Sequence, residues 1–347
     1  MKFDLSPEQY QFEETIGAYL RAECPVAGTL ARAEAAGHDA GWDAGAWKGL
    51  AGLGLAGVAV PAEYGGLGLG VLDLAVAAQA LGHGAAPGPW LAHWLAELAL
   101  LRAGSNEQRS RWLPGLADGS VRATLLWDER GTPALGARSA DVAVVRDGAS
   151  LGLIAADGIR AEPLPGADYT RPIDAVELVR RPEPLPGAGS DTATWLRAAG
   201  HTLVAADCFG GSLRALRETV AYAKTRRQFG QLIGSFQAVK HEVANLALLV
   251  EPGRGLYWFA AYAIDESLPD AAGAAALAKA HLSEGYVQAV RDAIELHGGF
   301  GYTWECGLHV YLKRALLNRE FLGDPETLRQ ELARAEFGPA EKAEVSP

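Results

Sequence analysis

Cysteine is scarce in this chain of 347 residues. Cys24, Cys208 and Cys306 form an odd set with neither metal-type nor C-x-x-C spacing. That excludes a disulfide framework and reads as the reduced thiols of a cytoplasmic protein. Positive charge is short as well: 31 Lys and Arg stand against 42 Asp and Glu, for a formal net charge of −11. No basic tract offsets the balance, so no nucleic-acid partner is expected. Long apolar runs are missing too. The longest, near residues 50–62, is broken by glycines and Pro61, and the stretch from Met1 to Glu8 has no apolar signal core. Neither a membrane span nor a cleaved leader is expected. The eight histidines show no pair at ligand spacing, and His201 and His297 read as packing residues. His241-Glu242-Val243-Ala244-Asn245 opens like a zinc-protease helix, but Asn245 stands where a second imidazole is required. No metal site is expected. Gly66, Gly68 and Gly70 miss the dinucleotide-loop spacing and read as a turn.

Against these absences, 49% of the residues are hydrophobic and 21% charged, the balance of a globular chain with two or three domains. Ser6-Pro7-Glu8 is a helix start, with Tyr10, Phe12, Ile16 and Leu20 as its buried stripe. Further helical patterns lie near 47–53, 71–81, 90–102 and 107–116, so residues 1–120 read as an N-terminal helical domain. Short β-branched runs then appear at 121–127, 141–145, 150–155 and 175–179, which predicts a small antiparallel β domain over 121–182. Residues 183–191 read as a linker, with Ser190 or Asp191 capping the next helix. Helical periodicity resumes over 192–225, 236–266, 270–297, 308–320 and 325–336, with a break at Pro252-Gly253. The expected fold class is mainly α with a small β domain: helical domain, reduced sheet, helical bundle over 192–338, and a tail at 339–347.

The stretch Arg226-Arg227-Gln228-Phe229-Gly230-Gln231-Leu232-Ile233-Gly234-Ser235-Phe236-Gln237 joins two of these helices. Ser235 is placed to cap the second helix. A basic turn with two glycines lets backbone amides and a guanidinium approach a phosphate together. Its pattern, R-x-x-F-G-x-x-(I/L)-x-x-F/H-Q, resembles a signature of the acyl-CoA dehydrogenase family. A second signature is similar to Leu296-His297-Gly298-Gly299-Phe300-Gly301-Tyr302-Thr303-Trp304-Glu305. A third is similar to the run from Leu55 through Pro61-Ala62-Glu63-Tyr64-Gly65-Gly66 to Gly68.

The resemblance implies a flavoprotein that oxidises the Cα–Cβ bond of an acyl-CoA thioester, with FAD shared across a subunit interface and electron-transfer flavoprotein as an electron acceptor. It implies that Arg226 pairs with the pyrophosphate, that Gln228, Phe236 and Gln237 belong to the FAD contacts, the last two at the adenine end, and that the Gly298-Gly299 backbone cradles phosphate or ribose. Glu295 stands where the family commonly has glutamine. The two positions at which family members carry the catalytic base fall here at Leu322 and Gly200, neither of which accepts a proton. Asp207, Glu320 and Asp324 are the nearby acids. The stretch Leu125-Leu126-Trp127-Asp128-Glu129-Arg130-Gly131, where members have a flavin-facing segment, leaves little sequence for a full cradle. A chain that keeps the trans contacts but lacks base and cradle resembles the short subunit of two-gene α2β2 members, known from degradation of steroid and other bulky acyl chains. A longer acyl-CoA dehydrogenase homologue is then the expected partner. Two alternatives remain: a self-sufficient homo-oligomer with an unconventional base, and a flavin-free paralogue that binds CoA thioesters or serves as a scaffold.

Overall fold

The first helix begins as its sequence dictates. The Ser6 hydroxyl accepts from the Gln9 N–H and the Gln9 side chain accepts from the Ser6 N–H, a capping box that starts α1 (Pro7–Glu23). The structure is a computed structural model that describes residues 4–36, 41–127 and 133–338. Beyond α1, the first third holds α2 (Val26–Ala36), α3 (Ala44–Gly52), α4 (Val71–Gly84), α5 (Trp90–Ala103) and α6 (Asn106–Ala117). The last third holds α7 (Ser190–Thr225), α8 (Gln237–Val250), α9 (Gly253–Asp265), α10 (Ala271–Leu296), α11 (Leu308–Glu320) and α12 (Pro325–Phe337).

One long element ties the two ends together. α7 crosses α4 where neither helix carries a side chain: a Cβ on Gly82 would sit 2.0 Å from the Asp207 carbonyl oxygen, and one on Gly210 would sit 2.0 Å from that of Gln79. Backbones that approach so closely need glycine at the crossing. α10 packs along the other side of α7, and one continuous apolar core runs from Ile16 through Trp94 and Phe209 to Tyr286 and Val310. α5 is buried on nearly all sides, and the Nδ1 of its His93 accepts the Ala123 N–H at 3.1 Å, fixing the helix to the first strand.

The sheet region comprises β1 (Ala123–Leu126), β2 (Ala134–Leu135), β3 (Val142–Asp147), β4 (Ser150–Ala155), β5 (Ile159–Pro163), β6 (Ile173–Leu178) and β7 (Glu183–Pro184). The strands form two small sheets, β1-β3-β4-β7 and β2-β6-β5. All pairings among the described residues here are antiparallel except β1 with β3, which run parallel. The long connection between those two strands, part of it outside the described residues, allows that parallel return.

Part of the stretch expected as a linker belongs to the sheet. Glu183 and Pro184 pair with β4 as an edge strand, and Leu185 is buried with its N–H on the Leu151 carbonyl. A proline is tolerated there because an edge strand needs no donor on its open side. Neither expected cap on α7 forms: the N-cap is Gly189 and no side chain accepts there, while Ser190 and Asp191 bond to each other. The tail at 339–347, and Asp128 to Gly131 of the stretch compared with the flavin-facing segment, lie outside the described residues.

Candidate functional site

Two regions gather the residues singled out by the sequence, one on the surface and one in a crevice. The surface region forms at the end of α7. Arg226 is its C-cap, extended at φ −71° and ψ 133°, with its N–H on the Tyr222 carbonyl at 2.8 Å. A two-residue hairpin follows, in which β8 (Arg227–Gln228) pairs with β9 (Gln231–Leu232). Both turn residues have positive φ, 50° at Phe229 and 79° at Gly230, the shape of a type I′ turn. Gly230 adopts it freely, whereas a phenylalanine there is strained. Phe229 is also 92% exposed and meets the edge of Phe236 at 6.2 Å between centroids. Sequence reasoning did not single out Phe229 as a contact residue. Ser235 does not cap α8: its hydroxyl donates to the Leu232 carbonyl at 2.6 Å, and Phe236 is an N-cap without a side-chain bond.

The second signature reaches the same helix end. After α10, residues 298–302 make one turn of 3₁₀ helix. His297 stacks on Tyr222 at 4.3 Å between centroids, and Phe300 stacks on the same ring at 5.7 Å. One residue further along α7, the Ala223 carbonyl lies where a Cβ on Gly234 would come within 2.7 Å. Tyr222 and Ala223 therefore join the Arg226 turn to the Gly298-Gly299 turn. Arg226, Gln228, Gln237, Glu295, Gly298 and Gly299 are all exposed, and Phe236 is half-buried. Gly298 needs its hydrogen side chain for φ 60°, but a Cβ on Gly299 would meet nothing of this chain within 4 Å. Nothing inside the chain explains that second glycine.

The crevice lies between β1, the start of α7 and the turn joining α11 to α12, and encloses about 520 Å³. Gly200 and Leu322, the two positions compared with the family's base, touch each other there although 122 residues separate them. A Cβ on Gly200 would stand 2.4 Å from Leu322 Cδ1. Leu322 has φ 63° and is buried, and its turn is gripped from behind. His201 Nε2 donates to the Leu322 carbonyl at 3.0 Å, and Lys279 Nζ donates to the carbonyls of Gly323 and, at 2.8 Å, Arg319. Burial pushes the His201 imidazole down to about 3, so it donates as a neutral ring. Burial also lowers the Lys279 ammonium, to about 8. The turn that carries Leu322 is thus held through its backbone by His201 and Lys279.

The nearby acids are differently placed. Asp207 is fully buried in the core, where Arg314 grips it through Nη2 at 2.5 Å and Nε at 3.0 Å and Asn318 donates at 2.6 Å. Burial works against its charge, but Arg314 and Arg171 outweigh that and hold the carboxyl below its usual range. Asp168 balances Arg171 at 2.8 Å, so the cluster is a closed quartet of two acids and two guanidiniums. Asp324 caps α12: its carboxylate accepts from Thr327 and Glu326, which lowers it to about 2. Glu320 lines the crevice from an exposed position.

A helical first third, a small pair of sheets and a helical bundle define a helix–sheet–helix architecture. The model of the acyl-CoA dehydrogenase N-terminal domain matches residues 6–120, and that of the C-terminal domain matches residues 187–337. The chain belongs to the acyl-CoA dehydrogenase family, oxidoreductases that act on CH–CH bonds. It is 33% identical to acyl-CoA dehydrogenase IpdE2 of Mycolicibacterium smegmatis, over 96% of this chain and 99% of that one. It is 35% identical to IpdE2 of Mycobacterium tuberculosis, over 93% and 96% respectively. Among solved structures, a variant of the Tcur3481–Tcur3483 steroid ACAD superposes with a TM-score of 0.86 at 28% identity, covering 95% of this chain and 98% of that one.

Proposed function

We propose that this chain is a subunit of an FAD-dependent acyl-CoA dehydrogenase, one that holds part of the FAD bound mainly by a longer homologous partner and supplies no base of its own. The observation that carries this reading is the pairing of two facts. The Arg226 and Gly298-Gly299 turns are brought together and exposed, while at the two positions compared with the family's base Leu322 packs against Gly200 and neither accepts a proton. The residues present fit a dinucleotide: Arg226 offers a free-standing guanidinium to the pyrophosphate, Gln228 and Gln237 offer amides, and Gly298-Gly299 offers backbone without a blocking side chain. Phe236, and Phe229 beside it, offer aromatic faces. Glu295, exposed at the end of α10, adds a negative charge where the family commonly has an amide, and opposes the pyrophosphate there. Bound FAD supplies the hydride acceptor for Cα–Cβ oxidation. The substrate class is an acyl-CoA thioester. The likeness to IpdE2 and to a steroid enzyme with two gene products in its name favours a bulky, ring-derived acyl group and a heterotetramer, with an electron-transfer flavoprotein downstream.

The test is Arg226→Ala in the complex co-purified with its partner. A charge-assisted bond of about 1.5–3 kcal/mol is removed, which corresponds to a loss of FAD affinity of roughly ten- to a hundredfold. Unchanged flavin occupancy after dialysis contradicts the trans contact. A second reading, a self-sufficient enzyme with Glu320 as base, rests on the position of Glu320 in the lining of the crevice. It requires flavin and turnover from the chain alone, and loss of that turnover in Glu320→Gln.

A further inference from the structure

The crevice over Leu322 has the size of a small-molecule site. Its volume of about 520 Å³ lies inside the range of roughly 300–1,000 Å³ usual for such pockets. One wall is apolar, built from Leu125, Trp127, Leu317, Phe321 and Leu322. Leu322 is fixed in place by the two carbonyl bonds from His201 and Lys279, so this wall is preformed.

The charges in the lining are unequal in their engagement. Arg197 is paired with Glu331 at 2.7 Å, and Glu320 lies 3.8 Å from Arg319. Arg146 differs: its guanidinium lies over the Trp127 ring at 4.5 Å, its Nε is buried without a hydrogen-bond partner, and it has no ion pair among the described residues. A buried N–H left without an acceptor is costly, and a guanidinium resting over an indole keeps its charge available to a carboxylate.

We propose that this crevice is a binding site in its own right, for an apolar chain or ring that carries a carboxylate, which it holds at Arg146 without transforming it. This rests on the reading of the crevice as base-free, and is independent of the FAD contacts at Arg226. The free acid is favoured over its CoA thioester because the thioester has replaced the carboxylate that Arg146 would hold.

The full chain is titrated calorimetrically with decanoate, decanol and decanoyl-CoA. Decanoate binds about tenfold or more tightly than decanol, as a charge-assisted bond requires. Arg146→Gln brings the two within about a factor of two, Arg146→Lys keeps part of the preference, and Leu322→Trp fills the crevice and removes binding of both. If the Leu322 variant does not fold, as judged by its circular dichroism, Leu125→Trp on β1 takes its place. Equal affinities for acid and alcohol, a preference that survives Arg146→Gln, or binding that survives a filled crevice each overturn the proposal. So does tighter binding of decanoyl-CoA, which makes the crevice a thioester site. None of these readouts involves flavin, so the trans-contact reading stands or falls separately on Arg226→Ala.

Discussion

If Leu322 occupies the volume of a lost base, Gly200→Ala and Leu322→Ala must be strongly coupled. In isolation, alanine in place of a helical glycine gains about 0.5–1 kcal/mol. At position 200 the new Cβ lands 2.4 Å from Leu322 Cδ1 and 3.4 Å from Leu95 Cδ1. Overpacking of that kind costs about 1–3 kcal/mol, so the single variant is destabilised by up to about 2 kcal/mol. His201 and Lys279 pin the backbone of its turn, so the leucine tip yields only by rotating into the crevice, out of its present rotamer. Leu322→Ala alone removes buried apolar atoms beside an existing crevice, for a loss near the low end of the usual range, about 2–3 kcal/mol. In the double variant the added methyl enters space the leucine has left. The collision disappears and the helix gain is realised, so the pair is less destabilised than the sum by at least about 1 kcal/mol. Urea unfolding of the four proteins with linear extrapolation reads this directly. Values that add within about 0.5 kcal/mol refute the contact.

Two further outcomes follow from the same geometry. His201 takes up no proton in the folded chain until about pH 3, whereas the unfolded imidazole does so near its ordinary value of 6.5. The unfolded state therefore binds more protons between those values, and stability is complete above pH 6.5 and falls as the pH drops towards 3. At pH 5 that amounts to about 2 kcal/mol, and His201→Gln, which keeps a donor for the Leu322 carbonyl, loses correspondingly less between pH 7 and pH 5; identical pH slopes in the two proteins contradict the assignment. Phe229→Gly relieves a strained left-handed residue while giving up chain stiffness, so the stability of the chain alone changes by no more than about 0.5 kcal/mol. Flavin retention in the co-purified complex falls nonetheless. A variant that loses stability but keeps flavin places Phe229 in this chain's own packing.

The helices were largely legible because their signals are local. Ser6 and Pro7 set the start of α1, the 3.6-residue apolar spacing carried α7 and α8, and Pro252-Gly253 broke α8 from α9 where a proline must. Strand pairing was less legible. Whether β1 meets β3 in parallel depends on the path of the connecting chain, which no short window of sequence contains. Glu183-Pro184 looked like a linker because proline and glycine dominate its composition, yet an edge strand accepts them.

The site divided in the same way. That Gly200 and Leu322 accept no proton was visible from the residues alone, but that they touch was not, nor that two basic side chains hold the turn between α11 and α12. The strain at Phe229 is a backbone property set by hairpin closure. Its one sequence signal is the Phe-Gly pair at the centre of a two-residue turn, a position where asparagine or glycine is usual.

The most direct measurement is the visible absorption spectrum of the purified chain, taken alone and again after co-purification with its longer homologue. The account predicts no flavin band from the chain alone and about one FAD per pair of chains in the complex. Stoichiometric flavin on the chain alone contradicts it and returns attention to Glu320. A colourless complex also contradicts it, and leaves a scaffold.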